Sequence, residues 1–304
     1  MIPKDKALKL INIYMYVCQQ YDENLQYYFQ RYSNNSVPVF TDQEILTIYL
    51  FVGSEQCYTR IKEIHKFAKE YLLDWFPTLV SYQTFVHRVN RMVGAVTELL
   101  KQLTSAYKPT DCDDDTLIVD SLPIMTCIGR NRVGKVAPEI ADKGYCSTKN
   151  QYYYGLKLHL VGMRRKGHIP FPYQIALSPA SENDLTVFKR ECVPDIAGKM
   201  IFADKIYRDG AFWDTEREMK RNELLTPIKA IKGVTEQERQ RNKAADDLYS
   251  AAVSSVREPV EAFFSWLNDK TNIQRANKCR STAGLLIHTI GKLAIAFIFL
   301  IFNY

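Results

Sequence analysis

The sequence predicts a mixed α/β fold: a five-stranded sheet with flanking helices, preceded by an all-helical domain. Three observations predict it. Residues 1 to about 107 show helical apolar spacing, many tyrosines and no clear alternating strands. Past Pro109 the texture changes to short apolar runs at 116–121, 152–161, 171–178, 199–203 and 223–228. Helix starts fall between the later runs, giving three strands, helix, strand, helix, strand, helix, the order of a sheet that begins antiparallel and finishes parallel. The expected domains are 1–110 and 111–304, the second carrying a polar insertion near 229–256.

In the first domain, Thr41-Asp42-Gln43-Glu44 before Ile45-Leu46 is a capping box, in which hydroxyl and carboxylate satisfy free helix-start amides reciprocally. Ile61–Phe67 has helical apolar spacing, Pro77 interrupts, and Ser81 opens a helix predicted over Tyr82–Leu103. The acidic run Asp111, Asp113, Asp114, Asp115 then reads as a connector.

In the second domain, Leu117-Ile118-Val119-Asp120 is the first strand, and Pro123 is expected to end or bulge it just past Asp120. Tyr152–Val161 partly alternates, with Tyr152, Tyr154, Leu156, Leu158 and Leu160 on one face and Gly155, Lys157 and His159 on the other, which predicts a half-exposed antiparallel strand. Ser181-Glu182-Asn183-Asp184 is a capping-type helix start, and Asp209 reads as the cap of a helix near 211–222. The segment 229–256, with Lys229, Lys232, Arg239, Arg241 and Lys243 among acids, reads either as a solvated linker with a helical piece or as a phosphate-contacting loop.

The net charge of +6 permits a polyanionic partner without requiring one. Seven scattered cysteines with no C-x-x-C argue against a zinc site or a disulfide framework and for a reducing cytoplasm. The apolar run 294–302 is broken upstream by Lys292 and His288. It falls short of the about 20 residues of a membrane span and is expected to be a core helix.

Three acids stand where metal ligands would stand. Asp120 ends one buried strand, and Asp204 ends another, Met200-Ile201-Phe202-Ala203. Glu261 lies on a helix whose apolar positions Val256, Val260, Phe263 and Leu267 recur at three and four. Carboxylates at strand ends sit on rigid backbone that a substrate can reach, and three of them can hold a pair of divalent cations for in-line attack on a phosphodiester. Each also has an ordinary role open to it: a turn for Asp120, a cap for Asp204, and an i,i+4 pair with Arg257 for Glu261.

With these flanks, the chain resembles the DDE transposases of bacterial insertion sequences. Val119-Asp120-Ser121-Leu122-Pro123-Ile124 is similar to that family's first-aspartate strand, Tyr153–His159 to its second strand, and Ala203-Asp204-Lys205-Ile206-Tyr207 to its second-aspartate motif, with Ile206 in place of the usual glycine. Arg257-Glu258-Pro259-Val260-Glu261 resembles the helix with the third acid. Phe40–Thr47 and Tyr82–Arg91 resemble the helical region ahead of the catalytic domain. A fuller family signature has a tyrosine three residues before the arginine and a lysine seven after the glutamate; here Ser254 and Asn268 stand there, and Lys270 is the nearby substitute.

The resemblance implies an RNase H-like fold in which Asp120, Asp204 and Glu261 are both catalytic residues and metal ligands. It also implies two Mg²⁺ ions, with Mn²⁺ as a substitute, and Asp120 bridging them. The implied reaction is hydrolysis at element ends, then strand transfer by the freed 3′-hydroxyl. Partners would be double-stranded DNA (terminal inverted repeats and target) and a second copy of the chain in a synaptic homodimer, with no membrane, in the bacterial cytoplasm or nucleoid. Arg88, Arg91, Lys157, Lys205, Arg208, Arg257 and Lys270 are the candidate DNA contacts, each also open to a solvated or salt-bridged role. A transposase-derived DNA-binding protein that no longer cuts and a metal-dependent nuclease without strand transfer are the alternatives.

Overall fold

A computed structural model describes residues 2–29, 38–58, 60–131, 134–228 and 236–302, with only the backbone of 236–239 and 241. Lys229 and Lys232 of the predicted polar insertion, and the side chains of Arg239 and Arg241, therefore lie outside the described residues. The chain forms two compact units. One comprises Met1–Tyr107, Lys135–Glu139 and Leu267–Tyr304; the other comprises Lys108–Gly134 and Ile140–Trp266. The division expected near residue 110 is thus crossed by the C-terminal segment, which belongs with the first helices.

The helical unit contains α1 (Lys4–Glu23), α2 (Asp42–Gln56), α3 (Ile61–Tyr71), α4 (Tyr82–Arg91) and α5 (Val93–Ala106). The capping box forms as predicted: Glu44 N–H donates to Thr41 Oγ1 at 3.2 Å, and Thr41 N–H donates to Glu44 Oε2 at 2.6 Å. The single helix expected over Tyr82–Leu103 divides at Met92, whose φ of −84° and ψ of 9° leave the helical region. α2 is apolar on nearly all sides and buried from Ile45 to Ser54. It packs against the C-terminal helix, which runs Thr282–Phe302 with a wider turn at Ile287–Gly291. Gly53 permits this close approach, because a Cβ there would lie 2.4 Å from Ile295 Cδ1. The C-terminal helix has 21 residues, of which an 18-residue stretch has a mean hydropathy of 2.3, so it is long enough to span a membrane, contrary to the expectation from the broken apolar run. The helix continues through His288 and Lys292, while Leu293 to Ile298 are buried within the helical unit.

The sheet unit contains β1 (Cys112–Ile128), β2 (Asp142–Cys146), β3 (Gln151–Arg165), β4 (Phe171–Pro179), α6 (Asp184–Val187), β5 (Met200–Phe202), α7 (Gly210–Lys220), β6 (Glu223–Leu225) and α8 (Glu236–Arg257), followed by the first residues of α9 (Pro259–Thr271). Its six strands run in the order β2-β3-β1-β5-β6, with β4 also on β3. Strands β1, β3 and β4 are antiparallel, and β1, β5 and β6 are parallel, the predicted combination.

The sixth strand is β2, which shares one edge of β3 with β4: β2 pairs with residues 151–155 and β4 with 156–163. Its sequence, Asp-Lys-Gly-Tyr-Cys, is too short and polar to read as a strand, and it is ordered by its partner. β3 is not half-exposed: pairing on both edges and packing on both faces bury Tyr153, Tyr154, Leu156, Leu158, His159 and Leu160. β1 begins within the acidic run, bulges between Asp113 and Leu117, and continues through Pro123 to Ile128. Pairing with β5 stops at Ile118, so beyond it that edge of β1 has no ladder for a proline to interrupt.

Candidate active site

Strand register sets two of the three acids side by side. Thr116, Leu117 and Ile118 of β1 pair in parallel with Met200, Ile201 and Phe202 of β5, an offset of 202 − 118 = 84. Asp120 and Asp204 keep the same offset, 204 − 120 = 84, two residues farther along each strand. Side chains alternate faces, so each aspartate shares the face of the strand residue two before it. Neighbouring strands lie about 4.8 Å apart, so this register carries the two carboxylates onto one face just past the point where β1 and β5 stop pairing. The extended chain persists past β5, since Ala203 N–H donates to Leu225 O at 3.1 Å. Asp204 also caps the short turn Lys205–Tyr207, accepting from Lys205 N–H at 2.7 Å, so the capping role and the strand-end role coexist.

The third acid arrives on α9. Pro259 is its first residue, a position where a missing N–H costs nothing, and Glu261 falls in the first turn, at the positive end of the helix dipole. Val260 and Phe263 bury the opposite face. One residue joins this helix to the strand. Arg257, at the end of α8, donates through Nη1 to Asp120 Oδ2 at 3.1 Å and through Nη2 to Glu261 Oε1 at 2.7 Å. The i,i+4 pair foreseen for Arg257 and Glu261 is present, and the same guanidinium also holds an acid 137 residues away.

Asp120 titrates unusually. Burial pushes its carboxyl up to about 6, the Ser121 amide and Arg257 oppose this, and the nearby charges of Asp204 and Glu261 add to it. The Ser121 N–H bond measures 2.8 Å. The acids therefore feel one another's charge. A cluster of carboxylate oxygens under mutual repulsion has the donor chemistry of a hard divalent cation, and Mg²⁺ or Mn²⁺ suits it better than zinc. Among the described residues, no three acidic, histidine or cysteine side chains are grouped closely enough to hold an ion as they stand. The balancing cation in this arrangement is Arg257.

A family model described as a transposase DDE domain matches residues 111–298. The chain belongs to the DDE transposases of insertion-sequence type. The match takes in the whole of the sheet unit from β1 onward, and the mixed α/β architecture is that of an RNase H-like transposase. A comparison with curated proteins returned no match.

The other side chains singled out from the transposase sequence fall into separate settings. Lys205 and Arg208 are exposed beside Asp204. Arg257 lies within the acid cluster, with less than a fifth of its side chain exposed. Lys157 points away from Asp120: it aligns with Pro123 and shares a face with Ser121, and strand alternation sets both on the side opposite Asp120. Its ammonium donates to Asp184 Oδ1 at 2.8 Å and to Glu182 O at 2.7 Å. His159, on that same face, meets Ser178 Oγ at 2.8 Å, and burial pulls its pKa down to about 4, the setting of a structural neutral imidazole.

Lys270 lies 4.4 Å from the Phe299 ring centroid in the helical unit. Arg88 turns inward, pairing with Asp42 at 2.5 Å and donating to Phe40 O, while Arg91 is half-buried. Asp209 caps α7 as predicted, accepting from Phe212 N–H at 3.3 Å, and pairs with Lys189.

Two residues near the acids escaped the sequence reading. Asp184 accepts from Ser121 Oγ at 3.0 Å as well as from Lys157, bracing the residue next to Asp120. Tyr207 is buried with its hydroxyl unpaired, and burial together with the charges of Asp184, Asp120 and Asp204 raises its pKa well above normal. Asp184 was legible only as part of a capping run, and Tyr207 only as the last residue of the second-aspartate motif, with no role attached to it.

Proposed function

We propose that this transposase cuts DNA at the ends of its element and joins the freed 3′-hydroxyls to target DNA, with Asp120, Asp204 and Glu261 as catalytic residues and metal ligands. The observation that carries the reading is the shared offset of Asp120 and Asp204 on adjacent parallel strands, to which Arg257 ties Glu261. Asp120, Asp204 and Glu261 are the residues that would hold the two Mg²⁺ ions. Bound there, the ions would supply Lewis-acid stabilisation of the attacking and departing oxygens. The protein's own part is to position. Strand β1 fixes Asp120, the end of β5 fixes Asp204, the first turn of α9 presents Glu261, and Arg257 ties Asp120 to Glu261. Lys205 and Arg208 then meet the phosphate backbone beside Asp204, contacts that orient the duplex without reading its sequence.

Double-stranded DNA is the substrate in this reading, both as terminal inverted repeats and as target. A homodimer brings two ends together, and the helical unit serves end binding or dimerisation. The setting is the bacterial cytoplasm or nucleoid.

The test is Asp120→Asn. Cleavage of terminal-repeat DNA with Mg²⁺ is expected to disappear while binding to the same DNA persists; unchanged cleavage removes Asp120 from the reaction. Wild-type protein that binds but never cuts with Mg²⁺ or Mn²⁺ is a binding protein of transposase descent. Protein that cuts without moving labelled 3′ ends into plasmid is a nuclease.

A further inference from the structure

The helical unit contains a cavity of about 450 Å³ that the transposition chemistry does not use. It lies among α2, α3, α4 and the C-terminal helix, and its volume falls in the range of small-molecule sites. Cations stand around it: Lys62 on α3, and Lys278 and Arg280 just ahead of the C-terminal helix, all exposed. Arg60 adds a fourth, facing Glu63 at the outer limit of an ion pair, 4.0 Å. Inside, the Lys292 ammonium is buried and donates to Asn272 O at 3.1 Å. Burial pulls the Lys292 pKa down to about 7. Among the described residues, no aspartate or glutamate lines the cavity, and neither Lys62, Lys278, Arg280 nor Lys292 is in an ion pair. Concentrated positive charge without an internal counter-charge favours an anionic ligand.

The remaining lining says what the anion carries. Tyr58 and Tyr82 offer rings, Ile61 and Val86 offer apolar surface, and Asn90 offers an amide that can both donate and accept. The volume far exceeds what a bare phosphate fills, and a flat heterocycle suits the aromatic and amide wall. We infer that this cavity holds one nucleotide unit, with its phosphate against Lys278 and Arg280 and its base along the tyrosines and Asn90. The same chemistry has two sources: a free nucleotide, or an unpaired nucleotide of a DNA strand.

The full-length chain is titrated in EDTA, so that metal-dependent cleavage plays no part and failure of the catalytic reading does not bear on the result. The probes are dAMP, inorganic phosphate, a short single-stranded oligonucleotide and the blunt duplex of the same sequence. Saturable binding of dAMP, tighter than that of phosphate, is expected if the source is a free nucleotide; binding of the single strand in preference to the duplex is expected if it is DNA. The double substitution Lys278→Gln/Arg280→Gln, at exposed positions, should weaken whichever ligand binds by about tenfold or more. Val86→Phe, which intrudes on the cavity wall where the base is placed, should weaken binding. A measurement on the wild type avoids dependence on folding of the variants: an azido-adenine nucleotide, photoactivated in the complex, should label peptides containing Tyr58, Tyr82 or Asn90. No saturable binding of either nucleotide form at millimolar concentration, equal affinity for inorganic phosphate, or labelling confined to other peptides overturns the inference.

Discussion

Lys292→Met should stabilise the helical unit at neutral pH and lose that advantage in alkali. The lysine side chain is buried in the C-terminal helix, 5% exposed, with the Asn272 carbonyl as its hydrogen-bond acceptor at 3.1 Å. Burial lowers its pKa from 10.5 to about 7, against smaller opposing effects of Cys279 and Glu63. Between pH 7 and 10.5 the unfolded chain binds the proton and the folded chain does not, so the wild type gains stability as pH rises through that window. Below pH 7 the penalty is fully present. The difference of 10.5 − 7 = 3.5 pK units corresponds to about 5 kcal/mol at most. Methionine matches the length of the stem and carries no charge, but leaves the Asn272 carbonyl without its donor, a cost of roughly 1–3 kcal/mol. The net expectation is a variant more stable by about 2–3 kcal/mol at pH 7 and no more stable than the wild type near pH 10.5. Urea unfolding of both proteins across that pH range, followed by far-UV circular dichroism, measures the difference directly. A variant less stable at pH 7, or a difference that stays constant with pH, refutes the reasoning, since either would mean the lysine is well solvated or well paired in the folded state.

Three further substitutions test the packing and the site. Arg257→Gln removes the cation that Asp120 and Glu261 share, so calorimetric Mg²⁺ affinity at pH 8 should rise by about tenfold, the scale of one nearby charge in a partly solvated site; weaker binding at pH 8 would make the arginine an organiser of the acids. In the same variant the Asp120 carboxyl should titrate above its present value of about 6, so the gain should shrink as pH falls toward 6. Arg88→Met should cost about 3 kcal/mol of stability, because it leaves Asp42 buried without this guanidinium; a variant of unchanged melting temperature and weakened DNA binding would return Arg88 to the DNA surface. Gly155→Ala should prevent correct pairing of β1 and β3, since the added Cβ would lie 1.9 Å from Ile124 O, and soluble expression with an intact sheet signal would contradict the register.

Much of this molecule follows from short stretches of sequence because the physics there is short-ranged. The Thr41–Glu44 box and the Asp209 cap form between residues three apart, and the apolar pattern marks β1, β3, β4 and α3 without reference to any partner. Asp204, just past the end of β5, is visible for the same reason, whereas Asp120, read as a strand end, lies inside β1, which pairs with β3 as far as Ile128. Other features are invisible locally. β2 is a polar five-residue segment that becomes a strand only beside β3, and β3 looks half-exposed until both of its edges are paired. Pro123 reads as a strand end because sequence does not reveal that β1 lacks a neighbour on one side there.

The sequence by itself determined the α/β class and most helices and strands, since hydrogen bonding within a few residues and the alternation of side chains decide these, and it offered the three acids as candidates. Only the tertiary structure decided which charges meet. It bound Arg257 to Asp120 across 137 positions, turned Lys157 and Arg88 inward onto Asp184 and Asp42, and packed the C-terminal helix with the first helices around a cationic cavity. A cation's role depends on the acid it finds in space, and loop closure over such distances is set by the packing of the whole chain.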